Sequence, residues 1–375
     1  MTAVTDPVAL TQALLRIDTI NPPGNEEACA RLLGGALETA GFRTRYHSFG
    51  PGRTNLLAEI GGDAHRPPLC FTGHIDVVPL GGAAWSKDPF AGETDAGRLF
   101  GRGSSDMKSG VAAFVAAVIG MAPHLRRGPG VSLVITAGEE TGCEGAFHLH
   151  RDGVLGRAGA VVVAEPTCNY PFVGHKGAFW LRAVTRGITA HGSMPDKGDN
   201  AVYKAARAVS KLETFRFANP PHALMGQATL NVGTFHGGLN INSVPDRATL
   251  GIDIRTVPTV DHGELLAALS AQLGPEVELE KIIDLEAVYT DPEEPWMQSV
   301  FEVMTPILGA RPAARTATYF TDAAALNLAY GNPPTVILGP GEPHMAHQTD
   351  EYCMVERIVQ SVSAYEEIIR RWCLA

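Results

Sequence analysis

The chain has no run of basic residues. Its formal net charge is −10, and Lys and Arg cluster nowhere along it, so the footprint that neutralises a phosphate backbone is missing and no nucleic-acid partner is expected. No stretch approaches the roughly 18 uninterrupted apolar residues of a membrane span. The first residues, Met1-Thr2-Ala3-Val4-Thr5-Asp6, have neither the basic flank nor the apolar core of a secretory leader. A cytoplasmic protein with no membrane partner is therefore expected. The six cysteines, at 29, 70, 143, 168, 353 and 373, show no C-x-x-C spacing. Reduced, mostly packed thiols are expected in place of a disulfide framework or a cysteine zinc site. Internal repeats and low-complexity segments are also absent.

The 375 residues, 45% hydrophobic and 19% charged, have the composition of a globular protein and the length of about two domains. Apolar residues recur at helical spacing over 7–17 and 26–40, and the turn Pro22-Pro23-Gly24-Asn25 offers Asn25 as N-cap of the second helix. Strands are predicted at 42–48, 54–61 and 68–73. A helix over 107–121 is apolar nearly all round and should be buried. Strands at 131–137 and 160–164 follow. This alternation predicts an α/β fold with a mostly parallel sheet and helices on both faces. From Gly177 the rhythm changes. Strands at 178–186, 227–235, 247–256 and 277–283, with helices at 199–213 and 262–273, give the β-α-β-β-α-β order of a ferredoxin-like unit. Helix 295–308, a short helix near 322–329, a strand at 334–338 and a helix at 351–371 complete the chain. The expected organisation is a discontinuous main domain, 1–175 and 287–375, with a ferredoxin-like domain inserted at 176–286.

The chemistry gathers at the ends of the apolar runs. In Leu69-Cys70-Phe71-Thr72-Gly73-His74-Ile75-Asp76 a strand places His74 and Asp76 on the same side. A metal-binding histidine commonly donates its second ring N–H to a carboxylate, a role open to Asp76. Such a pair alone is a common structural arrangement. Later runs, however, lead to Asp106, Glu139-Glu140, Glu165 and His347, and open α/β sheets place their sites where strand ends converge. Two imidazoles and three carboxylates suit two zinc ions, one carboxylate bridging, with cobalt or manganese as substitutes. A metal pair both activates water near neutral pH and polarises a carbonyl, which implies hydrolysis of an amide or related bond. Glu139 and Glu140 project differently. One can ligate while the other handles the proton of the attacking water.

The segments Phe71-Thr72-Gly73-His74-Ile75-Asp76-Val77-Val78-Pro79, Gly101-Arg102-Gly103-Ser104-Ser105-Asp106-Met107-Lys108-Ser109-Gly110 and Gly138-Glu139-Glu140 closely resemble the di-zinc family of aminoacylase, acetylornithine deacetylase, succinyl-diaminopimelate desuccinylase and carboxypeptidase G. So do Glu165-Pro166-Thr167, His191-Gly192-Ser193, Gly237-Gly238 with Asn242 and Pro245, and Ala346-His347-Gln348, in the family's order across almost the whole chain. The resemblance implies that His74, Asp106 and Glu165 hold one metal and Asp106, Glu140 and His347 the other. It also implies that Asp76 orients His74, that Glu139 is the general base, and that the Asp106–Met107 peptide is cis. It further implies a homodimer formed through the inserted domain, with His191 reaching the partner's active site to steady the oxyanion, and with Arg255 and Asn242 binding substrate.

Tyr319-Phe320-Thr321-Asp322-Ala323 and His175-Lys176-Gly177 are more similar to the acetylornithine deacetylase members, whereas Thr349 stands where a proline is common. The expectation is a cytoplasmic, homodimeric di-zinc hydrolase that removes the acyl group from N-acyl-amino acids, as in amino-acid biosynthesis. A dipeptidase or carboxypeptidase on the same scaffold is the alternative. A non-catalytic binding protein of this fold would be expected to have lost a ligand or Glu139. This chain keeps all six residues.

Overall fold

A computed structural model describes residues 6–62 and 66–374. Residues 1–5, in which no secretory leader was expected, lie outside the described residues. The chain divides into two compact units: one comprises the chain up to Gly174, Tyr289–Arg315 and the chain from Thr321 on, and the other His175–Val288 with Thr316–Phe320.

The first unit is built on a six-stranded sheet in the order Arg43–Gly50, Arg53–Ile60, Val131–Thr136, Leu69–His74, Ala160–Val163, Thr335–Ile337. The first two pairings are antiparallel and the last three parallel. Every residue of Leu69–His74, Val131–Thr136 and Ala160–Val163 is buried. Parallel strands covered on both faces require continuous apolar runs in place of alternation, and these three segments read that way. The edge strand Arg43–Gly50, by contrast, mixes exposed and half-buried positions. The strand near 335 does rejoin this sheet, in register with Val161–Val163.

Helix Lys108–Met121 runs through the core with every residue from Lys108 to Val118 buried. Its first residue is a buried lysine, which burial alone would disfavour in the charged form. Lys108 Nζ donates to the carbonyls of Leu14 at 3.0 Å and Ile17 at 2.9 Å, at the C-terminal end of helix Pro7–Leu15, where a cation is favoured. That helix starts on Asp6, whose carboxylate accepts the N–H groups of Val8 and Ala9.

Two boundaries differ from expectation. Helix Glu27–Thr39 is not capped by Asn25. Its N-cap is Glu26, which makes no side-chain cap bond, because that carboxylate is buried against Arg53 at 3.0–3.1 Å and the Glu27 N–H is met by the Gly52 carbonyl. The C-terminal helix is Val355–Cys373, and Tyr352–Met354 before it is a short strand paired with Arg98–Phe100. Glu351, expected on the helix, precedes that strand.

In the second unit four strands lie in the order Thr229–Gly237, Arg247–Thr256, Gly177–Arg186, Val277–Leu285, all antiparallel. Helices Ala201–Glu213 and His262–Leu273 pack on one face around Phe179, Leu181, Leu212, Leu250 and Leu269. One covered face gives strict alternation, which Arg247–Thr256 shows residue by residue. The order is the ferredoxin-like one predicted. The segment 316–320, expected with the first unit, groups with this one. The Lys176 N–H donates to the Ala317 carbonyl, and the Phe320 ring packs edge-on to Trp180 at 6.2 Å. Five residues are too few to show a periodicity of their own. Among the described residues no helix is long and apolar enough to cross a membrane.

Candidate metal centre

His74 ends the central strand, and Glu165 lies just past the neighbouring strand Ala160–Val163. Asp106 sits before the buried helix, and its peptide bond to Met107 is cis, as the resemblance implied. His74 Nε2 lies 3.2 Å from Asp106 Oδ1 and 3.8 Å from Glu165 Oε1. The other Asp106 oxygen, Oδ2, lies 3.4 Å from His347 Nε2, which is 3.1 Å from Glu140 Oε2. The two oxygens of one carboxylate therefore face two different histidines, each with a further carboxylate beside it. We call His74–Asp106–Glu165 the inner half and His347–Asp106–Glu140 the outer half.

The electrostatics of the pocket call for cations. Burial, followed by the neighbouring carboxylates, holds Glu139 and Glu165 well above the usual carboxylate range, and burial with Asp106 raises Glu140. Burial opposes a charge on His74, yet its bonds to Asp106 and Asp76 hold its pKa well above the ordinary histidine value. Bonds to Asp106 and Glu140 push His347 up to about 10. Burial works against ionisation of Asp106, but the two histidines keep it below the usual range. Glu140 Oε1 is buried with no hydrogen-bond partner among the described residues, a cost that a bound ion would remove. One atom each from His74, Asp106 and Glu140, and likewise from His74, Glu139 and Glu165, lie within 4.8 Å of one another. Neighbouring ligands around an ion with bonds of about 2.1 Å stand roughly 3.4 Å apart, so nitrogen and oxygen donors at these spacings fit zinc-like ions.

Asp76 does more than the sequence suggests. His74 Nδ1 is 3.0 Å from the Asp76 backbone carbonyl and 3.4 Å from its carboxylate, so the nearer acceptor is the main chain. The carboxylate instead accepts the N–H groups of Glu139 at 3.1 Å and Glu140 at 3.2 Å, and the Asn21 side-chain amide at 2.9 Å. One residue thus sets the orientation of His74 and the turn that separates Glu139 from Glu140. That turn also needs Gly138, whose φ is +75° and where a Cβ would meet the Arg53 and Glu144 side chains.

Asn21, which reaches Thr141 as well, was not foreseen. Nor was the buried pair Thr136–Asp322, in which the Thr136 hydroxyl donates to Asp322. Asn21, next to Pro-Pro-Gly, and Asp322, in a short loop, carry no periodic signal that would mark them as buried.

The remaining candidates lie in the second unit. His191 is exposed, and its Nδ1 accepts the Ser193 N–H at 3.2 Å with the Ser193 hydroxyl 2.7 Å away. Asn242 is exposed beside it, its carbonyl accepting the Gly192 N–H at 2.7 Å. Arg255 Nε pairs with Asp253 at 2.9 Å, and its guanidinium lies over the rings of Trp180 and Phe320 at 5.7 and 5.9 Å.

Comparison with known proteins agrees with this geometry. A protein of Staphylococcus epidermidis named "Probable succinyl-diaminopimelate desuccinylase" is 29% identical, with 98% of each chain covered. The acetylornithine deacetylase of Proteus mirabilis is 30% identical over 94% of this chain and 91% of that one. Among solved structures, an M20 family metallo-carboxypeptidase from Sulfolobus solfataricus superposes with a TM-score of 0.82 over 99% of this chain and 100% of that one, at 18% identity, a likeness of fold. Residues 70–371 match the sequence profile of Peptidase family M20/M25/M40. With its paired histidines, shared aspartate and buried glutamates, the chain is a hydrolytic metalloenzyme and belongs to that peptidase family.

Proposed function

We propose that the protein removes the acyl group from N-acyl-amino acids, as a deacetylase or desuccinylase, using two zinc ions per subunit. The observation that carries this reading is the division of Asp106 between His74 and His347, with Glu139 buried beside them. His74, Asp106 and Glu165 would hold one ion and Asp106, Glu140 and His347 the other. When bound, the ions, with cobalt or manganese as substitutes, supply the positive charge that acidifies water and polarises the acyl carbonyl.

The chain's own residues do the rest. A Glu139 carboxylate oxygen takes a proton from the attacking water and delivers it to the departing amine nitrogen, a shuttle suited to a carboxyl whose burial holds its pKa well above the usual carboxylate range. Asp76 steadies the turn that presents Glu139 and Glu140 by accepting both of their backbone N–H groups. His191 Nδ1 accepts a backbone N–H, which leaves the proton of the neutral ring on Nε2, where it can donate to an oxyanion. Arg255, steadied by Asp253, would take the substrate carboxylate, and Asn242 would bind substrate beside His191.

The reading includes a cytoplasmic homodimer, with His191 serving the partner's site. Of the two edges of the inserted sheet, Val277–Leu285 carries Glu278, Glu280 and Lys281, whereas Thr229–Gly237 carries no charged residue and no proline. An unguarded edge is the one suited to pairing. Mixing Glu139→Gln with His191→Ala subunits should restore activity that neither has alone, and silence after confirmed subunit exchange rules out donation across the interface. The reaction itself is tested by assaying N-acetyl-amino acids, N-succinyl-amino acids and dipeptides with added zinc. Turnover of dipeptides alone would replace deacylase with dipeptidase or carboxypeptidase.

A further inference from the structure

Glu351 is a fully buried carboxylate with no part in the chemistry above. Its Oε1 accepts the N–H of Ser105 at 2.8 Å and of Asp106 at 3.0 Å. Its Oε2 accepts the N–H of Gly103 at 3.0 Å and the Arg102 guanidinium at 2.6 Å. Arg102 is buried too, with a second nitrogen 3.2 Å from the Pro79 carbonyl. The Glu351 carbonyl accepts the Gly101 N–H at 2.9 Å, and the next carbonyl, of Tyr352, accepts the Ser105 hydroxyl at 2.6 Å. Gly101, Arg102, Gly103, Ser105 and Asp106 therefore all bond to residue 351 or 352.

A buried ion pair is a poor source of net stability, since apolar side chains of similar volume often serve as well. What apolar side chains could not do is fix three backbone N–H groups in a loop that has no regular structure of its own. The last of those groups belongs to Asp106. Four residues before Glu351, in the same segment, His347 faces Asp106 Oδ2.

We propose that Glu351 is a positioning residue that locks the Asp106 loop to the His347 segment, so that the shared carboxylate and the outer histidine are set as one piece; this rests on the two-metal reading above. The inner half meets the lock only through Asp106, because His74 and Glu165 stand at the ends of buried strands. The outer half meets it twice, through Asp106 and through His347. Releasing the lock should therefore weaken the outer half more.

Glu351→Gln keeps the shape, but whichever way the amide turns, its NH2 meets only donors. The wild type and this variant are stripped of metal and titrated with zinc by calorimetry, with cobalt absorption as a second signature and circular dichroism and Tm as checks on folding. The first equivalent should bind within a few-fold of wild type and the second about 10–100-fold more weakly, the range typical for partners that orient metal ligands. Glu351→Asp, which keeps the charge but draws it back by one methylene, should fall between the two. Folded variants that bind both equivalents with wild-type affinity, or that weaken both equally, overturn the proposal. So does failure of both variants to fold with zinc present, which would make Glu351 part of the fold and not a positioning residue. A wild type that takes up fewer than two equivalents defeats the two-metal reading itself, and this inference with it.

Discussion

His74 and His347 are the same side chain facing the same aspartate in opposite surroundings. The His74 side chain is 1% exposed at the end of a buried parallel strand, whereas that of His347 is 53% exposed on irregular backbone with φ +64°. Glu165 follows a strand; Glu140 lies in a turn. The inner half is thus held by the sheet and the outer half by hydrogen bonds to polar residues elsewhere, among them Asp76 and Glu351. A site can consequently be rigid in both halves for unrelated reasons, and each half should fail in its own way.

The largest expected effect treats the halves alike. Glu139→Gln removes the proton shuttle and should lower kcat by about 10²–10⁴, with zinc content unchanged in elemental analysis. Full activity at full metal content would take Glu139 out of the mechanism. The next effect separates the halves. His74→Ala should empty the inner position and His347→Ala the outer, each losing more than the roughly 10–100-fold in affinity that an orienting partner costs. Because His74 is buried at the end of a strand, its loss should lower Tm more than the loss of the half-exposed His347. Two retained metals in either variant would count against the assignment of that half.

A third expectation concerns pH in chelated protein. His347, raised from 6.5 to about 10, contributes stability that is present below pH 6.5 and is lost as pH rises through about 10. His74 shifts in the same direction, and the raised glutamates add the same sign. The Tm of chelated protein should therefore fall between pH 6.5 and 10, while zinc, which takes the place of those protons, should flatten the profile. A chelated protein as stable at pH 10 as at pH 6.5 would contradict this. The smallest effect tests the polar support of the Glu139–Glu140 turn. Asn21→Ala removes one of three donors to the Asp76 carboxylate and should cost about 1.5 kcal/mol in urea unfolding, with zinc affinity changed only slightly.

Much of this was legible in the sequence because burial leaves a pattern. Leu69–His74, Val131–Thr136 and Ala160–Val163 read as strands from their largely apolar character, and the candidate ligands followed from what stands at or beyond the apolar runs. The inserted unit was readable from alternation. What escaped were residues whose environment is made by distant chain. Glu351 reads as the first residue of a helix, Arg102 as part of a glycine-rich excursion, and Asn21 as a turn residue. Each is buried by partners from 23 to 249 positions away, and no local period encodes that. Asn25 misled for a related reason, since the donor it should have capped is met by the carbonyl of Gly52.

Lys108 ties the end of the N-terminal helix to the start of the buried helix that follows Asp106. Its ammonium depends on the Leu14 and Ile17 carbonyls, which a shortened form starting beyond residue 17 would not have. The orphaned charge would then turn toward water and pull on the backbone two positions from Asp106. Trimming by a protease, or an internal translation start, would thus disarm the enzyme without removing a single ligand. A preparation that has lost its first helix should bind metal more weakly than the intact chain.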